Sequence, residues 1–194
     1  MIRSICVFCG SSHGFAPEYA EVAKEMGRAI AARGWTLVYG GGNVGLMGVV
    51  ADAVLAAGGK VIGVIPEALL ARELGHHGVT ELRVVNTMHE RKALMADLAD
   101  AFVALPGGIG TFEEFFEVLT WAQLGIHKKP CGLLNTRGYY EPVMDLLGNA
   151  VKEGFLKEDH KRMVLQSGAV EELLQQVENY TAPATAKWIR KEET

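Results

Sequence analysis

Short apolar runs alternate along the chain with longer stretches in which apolar residues recur every three or four positions. The runs include Ala101-Phe-Val-Ala-Leu105 and Val61-Ile-Gly-Val-Ile65. Their continuity is the pattern of parallel strands covered on both faces. Strands are predicted at about 3–9, 35–40, 60–65, 82–86, 101–105, 130–135 and 162–166. Helices are predicted at about 17–33, 45–58, 88–99, 111–124, 139–153 and 168–179. Gly34 and Gly58-Gly59 stand where helices should end before the next strand. The segment 66–81 breaks the rhythm and reads as a loop.

This alternation predicts an α/β fold of the Rossmann-like type, a doubly wound parallel sheet with helices on both faces. The helix near 45–58 is apolar and small over Ala51 to Ala57 apart from Asp52. It should pack on more than one side, against the sheet and a second subunit. At 194 residues the chain suits one domain, placed at 1–180, with a charged surface tail at 181–194.

Composition excludes more than it selects. The net charge is −4 and no basic tract stands out, so a nucleic-acid footprint is not expected. No apolar run reaches membrane-spanning length. Three cysteines and an N-terminus without a signal-peptide layout lead us to expect a cytoplasmic protein with free thiols. Cys6 and Cys9 form a C-x-x-C, but their odd spacing on a strand sends them to opposite faces. The histidines lack any paired metal-ligand spacing, so no metal site is expected.

The candidate chemistry lies in turns between strands and helices. Pro106-Gly107-Gly108-Ile109-Gly110-Thr111-Phe112-Glu113-Glu114 joins an apolar strand to an apolar-periodic helix. Glycines there let backbone amides approach an anion, and the helix start adds partial positive charge. The turn therefore suits a phosphate, with the Glu114 carboxylate one turn into the helix. Thr111-x-x-Glu114 equally fits a capping box, in which Glu114 would reach back to the Thr111 amide. The two roles compete for the same carboxylate.

Gly40-Gly41-Gly42-Asn43-Val44-Gly45-Leu46-Met47-Gly48 is a second glycine cluster after a strand. Its spacing misses the dinucleotide fingerprint, and no acidic residue ends the following strand. Close packing of helix on sheet explains several of these glycines. Gly10-Ser11-Ser12 ends the first strand in a third small turn. In Thr87-Met-His-Glu-Arg-Lys92, Arg91 and Lys92 fall near a helix start, where the dipole disfavours cations. They make sense there facing an anion, or as a solvated surface pair with Glu90.

Four motifs in this order resemble the LOG ("Lonely Guy") family of cytokinin-activating phosphoribohydrolases, long described as possible lysine decarboxylases. They are VFCGSS at 7–12, GGGNVGLMG at 40–48, MHERK at 88–92 and PGGIGTFEE at 106–114. The resemblance spans about residues 4–180. It implies hydrolysis of the N-glycosidic bond of a nucleoside 5′-monophosphate, AMP or an N6-substituted AMP, to the free base and ribose 5-phosphate. It implies catalytic roles for Arg91 and Glu114. Substrate contacts are implied for Glu73, Met88, Lys92, Gly107, Gly108, Ile109, Gly110, Thr111 and Thr120, with Gly42 and Gly45 in the second cluster. A homodimer or larger assembly is implied too, and no cofactor. A decarboxylase would need a pyridoxal-phosphate lysine with its supporting site, which nothing around Lys92, Lys128 or Lys129 announces. The alternative is a non-catalytic nucleotide-binding or cofactor-carrier module, against which the pairing of Arg91 with Glu114 argues.

Overall fold

A computed structural model describes residues 1–70 and 75–183. Its strands are β1 (Ser4–Phe8), β2 (Thr36–Tyr39), β3 (Lys60–Pro66), β4 (Glu81–Val85), β5 (Ala101–Ala104), β6 (Cys131–Leu134) and β7 (Val164–Ser167). The helices are α1 (Glu18–Ala32), α2 (Gly45–Ala56), α3 (Glu67–Leu70), α4 (Met88–Leu98), α5 (Ile109–Gln123), α6 (Glu141–Lys152), α7 (Glu158–Lys161) and α8 (Val170–Glu178). All strand pairs are parallel, in the order β4-β3-β2-β1-β5-β6-β7. The order reverses between β1 and β5. The turns leaving these two strands diverge to opposite faces and open a crevice at their carboxyl ends.

Side-chain alternation divides the core in two. Ile5, Val7 and Cys9 join Leu37, Tyr39, Val103 and residues of α1, α2 and α8 on one face. Cys6 and Phe8 join Val38, Phe102 and residues of α4 and α5 on the other. The two cysteines of the C-x-x-C are thus free, buried and on opposite faces, as their spacing predicts. Burial pushes both thiols upward, which keeps them protonated.

Gly34 and Gly58 end α1 and α2 as expected, with φ of +67° and +76°. In α1 the amides of Gly34 and Trp35 bind the carbonyls of Ala31 and Ile30, a Schellman closure. On its second side α2 packs against α1, while Met47, Val49 and Leu55 are only partly buried. A Cβ on Gly27 of α1 would lie 2.6 Å from the Ala53 Cβ and 2.7 Å from the Val50 carbonyl. Only glycine permits this approach.

Outside residues 71–74, the predicted loop at 66–81 carries regular structure. β3 runs through Pro66, α3 follows it, and Gly75 pairs with Gly42 in an antiparallel bridge. The proposed tail lies largely outside the described residues. Among the described residues no helix is long and apolar enough to cross a membrane.

Candidate active site

α5 begins two residues earlier than predicted. Its N-cap is Gly108 in extended conformation, and no side chain caps it. Thr111 is therefore the third residue of the helix, buried within the first turn, and the capping box with Glu114 is not made. Gly107 explains the early start. A Cβ on Gly107 would sit 2.2 Å from the Thr111 Oγ1, so only glycine lets the chain turn this tightly. The amides of Gly108, Ile109, Gly110 and Thr111 are left without helical acceptors, at the carboxyl end of the sheet beside the crevice.

Freed from the cap, the Glu114 carboxylate meets Arg91. The Arg91 Nη2 lies 3.5 Å from the Glu114 Oε1, with side chains only 11% and 12% exposed. Arg91 also donates from Nε to the Val64 carbonyl at 3.2 Å and from Nη2 to the Gly40 carbonyl at 3.4 Å. These carbonyls sit at the carboxyl ends of β3 and β2. The surface-pair reading of Arg91 therefore fails. Glu90 instead accepts the Asn86 amide at 2.8 Å, while Thr87 Oγ1 accepts the Glu90 amide at 3.1 Å. A T-x-x-E cap thus opens α4 at Thr87, with Glu90 reaching one residue further back, to the Asn86 amide.

Burial raises the Glu114 carboxyl above its ordinary range; Arg91 pulls it back, and Glu113 and Glu117 add to the rise. A carboxyl held this way is poised nearer neutrality, where an acid–base group works best. Lys92 binds Glu113 at 2.5 Å and Glu117 at 3.0 Å, joining α4 to α5. Burial acts to lower its ammonium, but the bonds to Glu113 and Glu117 outweigh that and raise it. Lys92 thus points to a carboxylate pair, and its phosphoribosyl contact would require those bonds to be exchanged.

The other residues singled out from sequence divide in the structure. Met88 is exposed beside Arg91, its Sδ 3.8 Å from Nη1. Ile109 is fully displayed at the start of α5. Thr120 is exposed, donates to the Phe116 carbonyl, and lies nine residues, ~13 Å, along α5 from Thr111. It stands well away from the uncapped helix start. Gly45, at φ +56°, packs its backbone on the first turn, where a Cβ would be 2.2 Å from the Ser11 carbonyl carbon. Gly42 serves the bridge to Gly75. Both glycines thus have packing reasons of their own. Glu73 lies outside the described residues.

Sequence reasoning missed Gly40 as the seat of Arg91, and it missed Tyr139. The Tyr139 hydroxyl donates to the Gly107 carbonyl at 2.5 Å. A cleft of about 290 Å³ lies here, lined by Ser11, Ser12, Tyr19, Gly107, Gly108 and Tyr139 among others. Among the described residues no group of three His, Cys, Asp or Glu side chains could hold a metal ion.

A family model described as possible lysine decarboxylase matches residues 47–177. Over 178 residues the chain is 53% identical to the cytokinin riboside 5′-monophosphate phosphoribohydrolase LOG of Oryza sativa subsp. japonica, covering 92% of this chain and 74% of that one. It is 57% identical over 155 residues to the cytokinin riboside 5′-monophosphate phosphoribohydrolase of Rhodococcoides fascians, covering 79% and 78% of the two chains. Among solved structures it resembles the molybdenum cofactor carrier protein of Chlamydomonas reinhardtii, with a TM-score of 0.69 at 23% identity over 92% of this chain and 97% of that one. That likeness shows the fold alone. With about half its residues identical to these phosphoribohydrolases over most of its length, the chain belongs to the LOG family.

Proposed function

We propose that this protein hydrolyses the N-glycosidic bond of adenosine 5′-monophosphates, plain or N6-substituted, releasing the base and ribose 5-phosphate. The observation that carries the reading is the buried Arg91–Glu114 pair beside an uncapped helix start. The relatives' names support the same reaction.

In this reading the amides of Gly108 to Thr111 hold the 5′-phosphate. Remote phosphate binding positions the ribose, so binding energy assists the chemical step. Water adds to C1′ as the C1′–N bond breaks. The bonding electron pair leaves with the base nitrogen, and the base takes up a proton. Positive charge develops on the ribose ring, and the Glu114 carboxylate faces it and orients the water. Arg91, fixed by two backbone carbonyls, favours the ionised form of Glu114 against burial and offers its remaining N–H groups to the substrate.

Decarboxylation fits the residues poorly. A Schiff-base lysine should stand with its amine beside the anion-binding turn. Lys92 is bound to two carboxylates, and Lys129 donates to the Ala96 carbonyl at the opposite end of the sheet from the glycine turn. A carrier role shares the fold, but a pure anion binder does not need a buried carboxylate at the site.

The free, buried cysteines support a cytoplasmic setting, and the family resemblance supports a homodimer. The test of the reaction is incubation with AMP and, in parallel, its N6-isopentenyl derivative, with chromatography for the free base. Release from at least one is expected. Release from neither, by folded protein, overturns the reading.

A further inference from the structure

The turn that follows β5 presents three consecutive carbonyls, and each has a donor from elsewhere in the fold. Leu105 accepts from the Tyr140 hydroxyl at 2.7 Å, Pro106 from the Gly10 amide at 3.1 Å, and Gly107 from the Tyr139 hydroxyl at 2.5 Å. A trans peptide is planar, with its C=O and N–H pointing in opposite directions. A donor that holds the Gly107 carbonyl therefore also fixes the direction of the Gly108 amide. Were that peptide to rotate, a carbonyl oxygen would face the anion and repel it.

The two tyrosines are adjacent in sequence but differ in setting. Tyr140 is buried, and its amide is fixed by the Asn135 Oδ1 at 2.6 Å. Tyr139 is only partly buried and lines the cleft beside Gly107 and Gly108. Its ring stands edge-on to Tyr140 at 5.1 Å and to Tyr19 at 6.0 Å, so its hydroxyl has one direction to point. We infer that Tyr139 is a positioning residue for phosphate recognition: its hydroxyl holds the Gly107–Gly108 peptide so that the Gly108 amide faces the 5′-phosphate. The hydrogen bond also polarises that peptide and strengthens the amide as a donor. This role rests on the function proposed above. It makes Tyr139 the residue through which the β6–α6 loop governs selection of a phosphorylated substrate.

The experiment compares AMP and adenosine as substrates for the parent, Tyr139→Phe and Tyr140→Phe, with a melting curve for each. Phenylalanine keeps the ring and removes only the donor. For Tyr139→Phe the KM for AMP should rise about tenfold, the scale of one lost bond in an anion site, with kcat within about twofold. Its efficiency on adenosine and its Tm should stay at the parent values, so discrimination between the two substrates falls by the same factor. Tyr140→Phe, which orphans a buried carbonyl, should melt lower and lose on both substrates alike. Ribose 5-phosphate binding, followed by calorimetry, should weaken for Tyr139→Phe in parallel with KM. A parent that prefers AMP and a Tyr139→Phe variant that keeps that preference in full would overturn the role of Tyr139 alone. Equal losses on both substrates with a lowered Tm would make it merely structural and overturn the role as well. A parent with no preference for AMP would remove the phosphate turn and with it this role, whereas release of base from AMP would still leave the reaction itself standing.

Discussion

Arg91 and Glu114 meet at 3.5 Å from helices whose preceding strands, β4 and β5, are separated by three others in the sheet. α4 crosses the sheet to bring the guanidinium back over the ends of β2 and β3. There the carbonyls of Gly40 and Val64 hold it against the carboxylate. The pair is thus assembled by topology, with neither helix able to supply it alone.

Replacing Glu114 with Gln should lower turnover of AMP by roughly 10²-fold, the scale of a lost acid–base or electrostatic group. Stability should move the other way. The folded carboxyl holds its proton to higher pH than the unfolded one. Its favourable contribution is therefore full below the ordinary carboxylate range and is lost as pH rises through the raised value. Glu114→Gln should then melt at or above the parent near neutrality, with the gap closing toward about pH 4. Melting curves across pH, beside steady-state kinetics, check both halves. A normal rate in this variant removes Glu114 from the mechanism.

Gly40→Ala should separate activity from folding. Its Cβ would lie 1.9 Å from the Arg91 Nη2, the far end of a flexible side chain, and the glycine has no positive φ to strain the backbone. The fold should accommodate the methyl by moving the guanidinium. We expect a loss in kcat/KM approaching that of Arg91→Ala, at least about tenfold, with a small change in Tm. A Gly40→Ala enzyme with parental kcat/KM would show that the seat of Arg91 is unimportant.

AMP should be cleaved at least ~100-fold more efficiently than adenosine. Losing the phosphate removes several charge-assisted hydrogen bonds, each worth roughly 1.5–3 kcal/mol before compensation. About 2.7 kcal/mol already gives two decades. Measured kcat/KM values for the two compounds decide it, and equal values would contradict an anion site at the start of α5.

Thr87→Ala should destabilise the fold by about 1 kcal/mol, because Thr87 caps the helix that carries Arg91. Urea titration measures it. An unchanged midpoint would mean that water replaces the cap without loss.

Light scattering at micromolar concentration should return a mass above the 21.0 kDa of one chain. A strictly monomeric and fully active protein would contradict the proposed dimer.

The element order was legible because buried parallel strands and amphipathic helices write different periods into a chain. The sequence placed β5, the glycine turn and α5 in succession, and it placed Cys6 and Cys9 on opposite faces. Schellman glycines at 34 and 58 marked two helix ends for a reason local to the backbone. The first turn of α5 stayed ambiguous, since T-x-x-E is offered equally well by Thr111–Glu114 and by Thr87–Glu90. Which one forms a cap depends on the backbone path before it. At Gly107 the absence of a side chain lets the helix begin early.

What the sequence determined by itself is therefore what local chemistry dictates: alternating elements, a phosphate-suited turn, and a carboxylate and a guanidinium near helix starts. What tertiary structure alone decided is how distant groups share space. Arg91 could be a surface cation until α4 is carried across the sheet onto the carbonyls of Gly40 and Val64. Tyr139 is an ordinary loop aromatic until its hydroxyl reaches Gly107, 32 residues earlier in the chain. Periodicity records which face of an element is buried. It carries no information about which distant residue will occupy the same few ångströms, because that depends on strand order and on how the crossovers close.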